Sequence, residues 1–217
     1  MSDGPRIALI HATPVAMAPV HAAMATGWPE ARPFDLLDTS LSEDAQSGAG
    51  TTSFDDRFMA LSRHATSVGA AGILFTCSAF GSALDHVARS LAPLPVLKPN
   101  EAMFRAALGL GSRIAMVATF APAVAEMEAE FRDMAGGAAR LDTRLAEGAM
   151  AALRAGDGAA HDRIVRDCAA GITGADAIML AHFSTARAAQ AVTGAVDVPV
   201  LTSPDSAVQA LRDLCST

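Results

Sequence analysis

No tyrosine occurs in the 217-residue chain, lysine occurs once, at Lys98, and cysteine three times, at Cys77, Cys168 and Cys215. Each scarcity closes off a class of function. Without tyrosine, no phenolic hydroxyl is present to bind or protonate a substrate. Sixteen basic residues are spread singly against 23 acidic ones, for a formal net charge of −7. That distribution offers no basic face to a nucleic acid or another polyanion. The cysteines lie far apart with no C-x-x-C pair, and the six histidines (His11, His21, His64, His86, His161 and His182) include no two at three- or four-residue spacing. Neither a disulfide framework nor a metal site built from a local motif is expected.

Long apolar runs are missing as well. The chain is 51% hydrophobic with a mean hydropathy of +0.30, but alanine supplies much of this. Charged residues or histidine interrupt every run well before the ~20 residues needed to span a bilayer. The opening stretch MSDGPRIALIHATPVAMAP has an acidic start and a prolyl break, unlike a secretory signal. A cytoplasmic protein with no membrane partner is expected. The length suffices for one good core or two small ones.

What is present is alternation. Strand-like runs at 6–11, 32–37, 72–76, 95–97, 113–118, 176–180 and 199–201, and a weaker one at 140–144, are separated by Ala-rich helical stretches, among them 145–155 and 159–171. This pattern predicts an α/β fold of parallel sheets flanked by helices. The alternation also repeats. RIALIHATPVAMAPV from Arg6 matches RIAMVATFAPAVAEM from Arg113, ILFTCSAF from Ile73 matches IMLAHFST from Ile178, and PLPVLKPNEAM around Pro95 matches DVPVLTSPDSAV around Pro199. Three strand-plus-turn units recur in one order at nearly one separation. Two pseudo-symmetric lobes are therefore expected, 1–108 plus 203–217 and 109–202, with the strand ends of both facing a shared cleft.

The repeat pairs residues that could do chemistry. Cys77, in the turn after the strand at 72–76, falls in register with His182. Thr13 and Pro14 correspond to Phe120 and Ala121, and Ser78 and Ala79 to Phe183 and Ser184. Cys77 is a nucleophile, a proton-transfer base or a buried small hydrophobe; a following helix N-terminus would favour its thiolate. Thr13, Ser78, Thr119 and Ser184 place hydroxyls at strand-end turns, where they cap helices or, with the turn amides, cradle a carboxylate. His11 ends the first strand, as either a ligand-binding or a satisfied core residue. Lys98 follows a strand in LKPNEAM, where it pairs with a substrate carboxylate or, the favoured reading, is a solvated lysine or a partner of Glu101. The polar stretch SLSEDAQSGAGTTS at 40–53 reads as a loop, either a lid or a surface segment. AGDGAA at 155–160 reads as a helix break.

Together, the two-lobe repeat, the FTCSAFG turn and the P-V-L turn after the next strand resemble the Asp/Glu/hydantoin racemase superfamily over essentially the whole chain. That group includes aspartate, glutamate and hydantoin racemases, maleate isomerases and arylmalonate decarboxylases. The resemblance implies cofactor-independent chemistry at the carbon next to a carboxylate of a small-molecule substrate, in a cleft between lobes, and a possible homodimer. It makes Cys77 and His182 the catalytic candidates, and His11, Thr13, Ser78, Ala79, Thr119, Phe120, Phe183 and Ser184 the substrate-binding ones. Family racemases use one thiol per lobe, the second in an L-G-C-T turn. Here that turn reads LAHFST, with His182 where the thiol is expected, and Cys168 and Cys215 fall inside predicted helices. Decarboxylases of the group keep one cysteine, but in the second lobe. A racemase or isomerase is the leading expectation. A decarboxylase, a lyase, a hydrolase with Cys77 as nucleophile and His182 as base, and a non-enzymatic carboxylate-binding protein remain open.

Overall fold

The structure, a computed structural model, describes residues 4–47 and 52–216. Its elements run β1 (Arg6–His11), a 3₁₀ turn (Pro14–Ala16), α1 (Met17–Gly27), β2 (Arg32–Leu37), α2 (Ser40–Ser47), α3 (Phe54–Ser67), β3 (Gly72–Phe75), α4 (Gly81–Ser90) and β4 (Val96–Leu97). There follow α5 (Glu101–Leu108), β5 (Arg113–Ala118), a 3₁₀ turn (Ala121–Ala123), α6 (Val124–Ala135), β6 (Arg140–Leu145), α7 (Ala149–Arg154), α8 (Gly158–Ala170) and β7 (Ala177–Leu180). A 3₁₀ segment (Phe183–Ala188), α9 (Ala189–Thr193), β8 (Val200–Thr202) and α10 (Ser203–Cys215) complete the order.

Two sheets form, in the orders β2-β1-β3-β4 and β6-β5-β7-β8, with every strand pair parallel. The residues divide into two compact units, one running to Pro99 and resuming at Ala207, the other Asn100–Ser206. These boundaries differ from 108/109 and 202/203. Helix α5 belongs with the second unit because Phe104 packs edge-on against Phe131, ring centroids 5.6 Å apart, in the core that includes Met127. The first turn of α10 belongs there too, with the Ser203 hydroxyl donating to Asn100 Oδ1 at 2.8 Å.

The internal repeat is exact at the level of strand register. In the first sheet Ile7 pairs with Gly72 and Ile10 with Phe75; in the second, Ile114 pairs with Ala177 and Val117 with Leu180. Apart from the leading Arg6 and Arg113 and the terminal His11, the central strands β1, β3, β5 and β7 are apolar and buried, as expected where helices cover both faces of a parallel sheet. In the first unit, one face packs Ala8, Ile10, Ile73 and Phe75 against Phe58, Leu84 and Val87. The opposite face of β3 meets α10, where a Cβ at Gly72 would lie 3.1 Å from both Leu211 and Cys215.

The stretch at 40–53 is not a plain loop: its first half is α2. Asp38 accepts from the Ser40 amide at 3.0 Å, and Leu41 is fully buried. Arg57 on α3 ties the helix down, donating to Asp38 at 2.8 Å and to Asp44 and Ser40 at 2.5 Å each. The Ser42 hydroxyl donates to the Ala12 carbonyl at 2.9 Å, at the end of β1. Positions 48–51 of that stretch lie outside the described residues. Ser53 then caps α3, accepting from the Asp56 amide. The 155–160 segment is a helix break, where Asp157 caps α8 by accepting from the Ala160 amide at 2.8 Å. Helix α4 begins at Gly81, which leaves 77–80 as a turn. Among the described residues, no helix is long and apolar enough to cross a membrane.

Candidate active site

In open α/β sheets, chemistry gathers where strands end and the chain turns into the next helix. In the first unit the relevant turns follow β1 and β3. The chain leaves β3 through Thr76, whose amide donates to the Ile10 carbonyl at 3.1 Å. It then presents Cys77, Ser78 and Ala79, all half-buried, ahead of the ten-residue helix α4. Cys77 is in no disulfide. After β1, Thr13 stands half-buried in extended conformation before the Pro14–Ala16 turn, and its side chain makes no capping hydrogen bond. Its hydroxyl is therefore not consumed by the role such a position usually gives it.

His11 is fully buried. Its Nδ1 lies 2.8 Å from the Thr76 hydroxyl and its Nε2 lies 2.9 Å from Asp35 Oδ1 on β2. His21, from α1, reaches the same carboxylate, with its Nε2 2.9 Å from both oxygens. Burial holds the His11 pKa below the ordinary value, against the opposing pull of Asp35. The ring is therefore neutral, and its partners fix the tautomer: an ionised carboxylate only accepts, so Nε2–H donates to Asp35 and Nδ1 accepts from Thr76. With both nitrogens spent inside the first unit, His11 is not placed to bind a ligand directly.

In the second unit the corresponding turn follows β7. The Ala181 amide donates to the Val117 carbonyl at 2.9 Å, the counterpart of the Thr76 bond, and His182 comes next, as Cys77 does. His182 has φ +69° and ψ 142°, a region that costs a non-glycine residue about 1–3 kcal/mol. Among the described residues it is the one non-glycine residue with positive φ. Burial, with His182 only 9% exposed, pushes its pKa down to about 4, so the imidazole is neutral near pH 7. Phe120 meets it edge-on at 6.4 Å, and the Arg154 guanidinium lies over the Phe120 ring at 5.8 Å.

The other predicted residues sort by burial and by partner. The Thr119 hydroxyl lies 3.2 Å from that of Thr185, a residue the sequence reading missed. Ser184 is buried at the start of the 3₁₀ segment. Phe183 is 1% exposed, so its ring is core packing. Lys98 pairs with Asp85 at 3.0 Å, and Glu101 accepts from Arg105. Cys168 and Cys215 lie within α8 and α10, and burial pushes both thiols up. Among the described residues, no three His, Cys, Asp or Glu side chains gather to hold a metal ion.

Asp35 and Thr76 were also missed as site neighbours. Thr76 had a signal, since it precedes Cys77 directly, but Asp35 had none, because its approach to His11 depends on the register that pairs Leu9 with Asp35.

Comparison with known proteins places this architecture. No curated protein matches the chain in sequence. Among solved structures it is similar to allantoin racemase from Klebsiella pneumoniae, with 21% identity, 98% of this chain and 88% of that one covered, and a TM-score of 0.74. It is similar to aspartate racemase from Picrophilus torridus at 12% identity, with 98% and 95% covered and a TM-score of 0.74. It is also similar to unliganded arylmalonate decarboxylase at 17% identity, with 97% and 93% covered and a TM-score of 0.64. At these identities the likeness establishes the fold. The family profile of Asp/Glu/Hydantoin racemase matches residues 12–211, and the chain therefore belongs to the Asp/Glu/Hydantoin racemase family.

Proposed function

We propose that the protein is a cofactor-independent racemase or isomerase acting at the carbon next to the carboxylate of a small substrate, with Cys77 as the catalytic thiol and His182 as the second functional residue. The observation that carries this reading is register. Cys77 and His182 each follow a residue whose amide bonds to the strand before it, Thr76 to Ile10 and Ala181 to Val117, in a chain of a racemase family. Removing a proton from such a carbon creates an enediolate. The turn amides at 77–80, with the hydroxyls of Thr13 and Ser78, supply donors for that charge. Thr119 and Ser184 supply the equivalent donors in the second unit.

A second reading is favoured by one specific feature. Proton transfer works best when the pKa of the group lies near the working pH, and His182 at about 4 is a weak base and is not a cation at neutral pH. A neutral imidazole still donates a hydrogen bond to a developing oxyanion. That role suits one-sided chemistry, decarboxylation or elimination with Cys77 as the sole proton donor.

The test is incubation in D₂O with amino acids, hydantoins, 2-aryl and 2-hydroxy acids and substituted malonates, followed by NMR at the α-position, with Cys77→Ala in parallel. Deuterium entering both enantiomers only with Cys77 intact is the expected result. Product labelled on one face without exchange into substrate selects the decarboxylase or lyase. Absence of exchange and product across the panel refutes both readings.

A further inference from the structure

The two units share strand register, so the strand residues of the first and those just after them have counterparts in the second, and the counterparts of the His11 network are informative. His11, Thr76 and Asp35 correspond by strand pairing to Ala118, Ala181 and Thr143. The second unit builds the same pair of central strands with two buried alanines where the first buries a histidine and a threonine. The fold therefore does not require the polar chain. Burying polar groups costs free energy unless every one is hydrogen-bonded, and here the ring of His11 is bonded at both nitrogens.

From this asymmetry we infer that Asp35, His11 and Thr76 are positioning residues for Cys77, fixing the turn that carries the thiol. Asp35 accepts from His11 Nε2–H and thereby leaves Nδ1 as an acceptor aimed at Thr76. The Thr76 hydroxyl has one proton, and the 2.8 Å approach to Nδ1 takes it in preference to the 3.4 Å approach to the Ile10 carbonyl. Thr76 is thus held through its main chain by Ile10 and through its side chain by His11, immediately before Cys77. His21 completes the set from α1 by fixing both carboxylate oxygens of Asp35. The turn at 77–80 is thereby fixed between Thr76 and the first turn of α4, a place where a thiolate is supported.

The inference rests on the reading of Cys77 as the reactive thiol, but its test needs no substrate. The rate of Cys77 carbamidomethylation by iodoacetamide at neutral pH is followed by mass spectrometry of the Cys77 peptide, so that Cys168 and Cys215 do not contribute. The proteins are the wild type, Thr76→Val, Thr76→Ser and Asp35→Asn, each with its Tm. Thr76→Val and Asp35→Asn are expected to slow the reaction about tenfold, whereas Thr76→Ser, which keeps the hydroxyl, stays within about twofold of wild type. A merely structural role predicts the opposite sign, since loosening the turn exposes the thiol and speeds its alkylation. Equal or faster rates in folded Thr76→Val and Asp35→Asn overturn the inference. If Asp35→Asn does not fold, the Thr76→Val and Thr76→Ser pair decides alone. Absence of turnover in the D₂O panel with the alkylation pattern intact refutes the proposed function and leaves the positioning role standing.

Discussion

His182 carries two separable properties, an imidazole and a backbone angle, and different substitutions remove them. His182→Ala deletes the ring but leaves a Cβ at φ +69°, whereas His182→Gly deletes the ring and relieves the strain. His182→Gly is expected to be the more stable of the two by about 1 kcal/mol, measured by urea unfolding, with both equally impaired in turnover. The thiols separate in the same way. Cys168 and Cys215, held protonated by burial, are expected to alkylate more slowly than free cysteine at pH 8. The register of His182 was legible in the sequence because the repeat aligns its turn with the one that carries Cys77. Its strain was not, since nothing in LAHFST marks a positive φ in the way a glycine does.

At the scale of elements, α2 shows how a polar segment becomes a helix. SLSEDAQS offers little apolar surface, and among its described side chains Leu41 alone is fully buried. The helix is held instead by Arg57, which reaches Asp38, Ser40 and Asp44 from α3. Arg57→Ala is expected to cost about 1–2 kcal/mol, the cluster being partly open to solvent. In hydrogen exchange by mass spectrometry, the loss should appear as faster exchange confined to α2. This element was not legible in the sequence, where the stretch 40–53 as a whole is dominated by Gly, Ser and Thr and the stabilising partner lies on the next helix. The strands were legible because β3 and β7 are apolar, β1 and β5 are apolar at 7–10 and 114–118, and the pattern recurs. The His11 network was not, because it needs the pairing of β1 with β2.

For the whole molecule, the buried groups set a direction for acid. His182 is neutral in the folded state down to about pH 4 but protonates near 6.5 when unfolded. The unfolded state thus binds more protons between these values, and stability falls as pH drops through that window, by up to about 3 kcal/mol. His11, also lowered by burial, acts with the same sign below 6.5. At lower pH a carboxylate takes over. Asp176 accepts from the amides of Ser112 and Arg113 and from the Arg113 guanidinium, which hold its pKa at about 2. Its contribution is present above pH 3.8 and is lost on descent toward 2. A urea-unfolding series from pH 7 to 4 should therefore slope downward, and His182→Asn should flatten it. A slope unchanged by that substitution would place the acid sensitivity elsewhere.

The division of the chain also fixes the order in which it can be finished during synthesis. The second unit is one uninterrupted run, Asn100–Ser206, whereas the first recruits residues from Ala207 onward. Leu211 and Cys215 of α10 close over Gly72 on β3, and Arg212 donates to the Gly27 carbonyl at the end of α1 at 2.8 Å. The unit that contains the N-terminal strand is thus the later of the two to be completed. As the nascent chain leaves the ribosome, the second unit can close on its own, while the sheet beneath Cys77 stays uncovered on one side until α10 emerges.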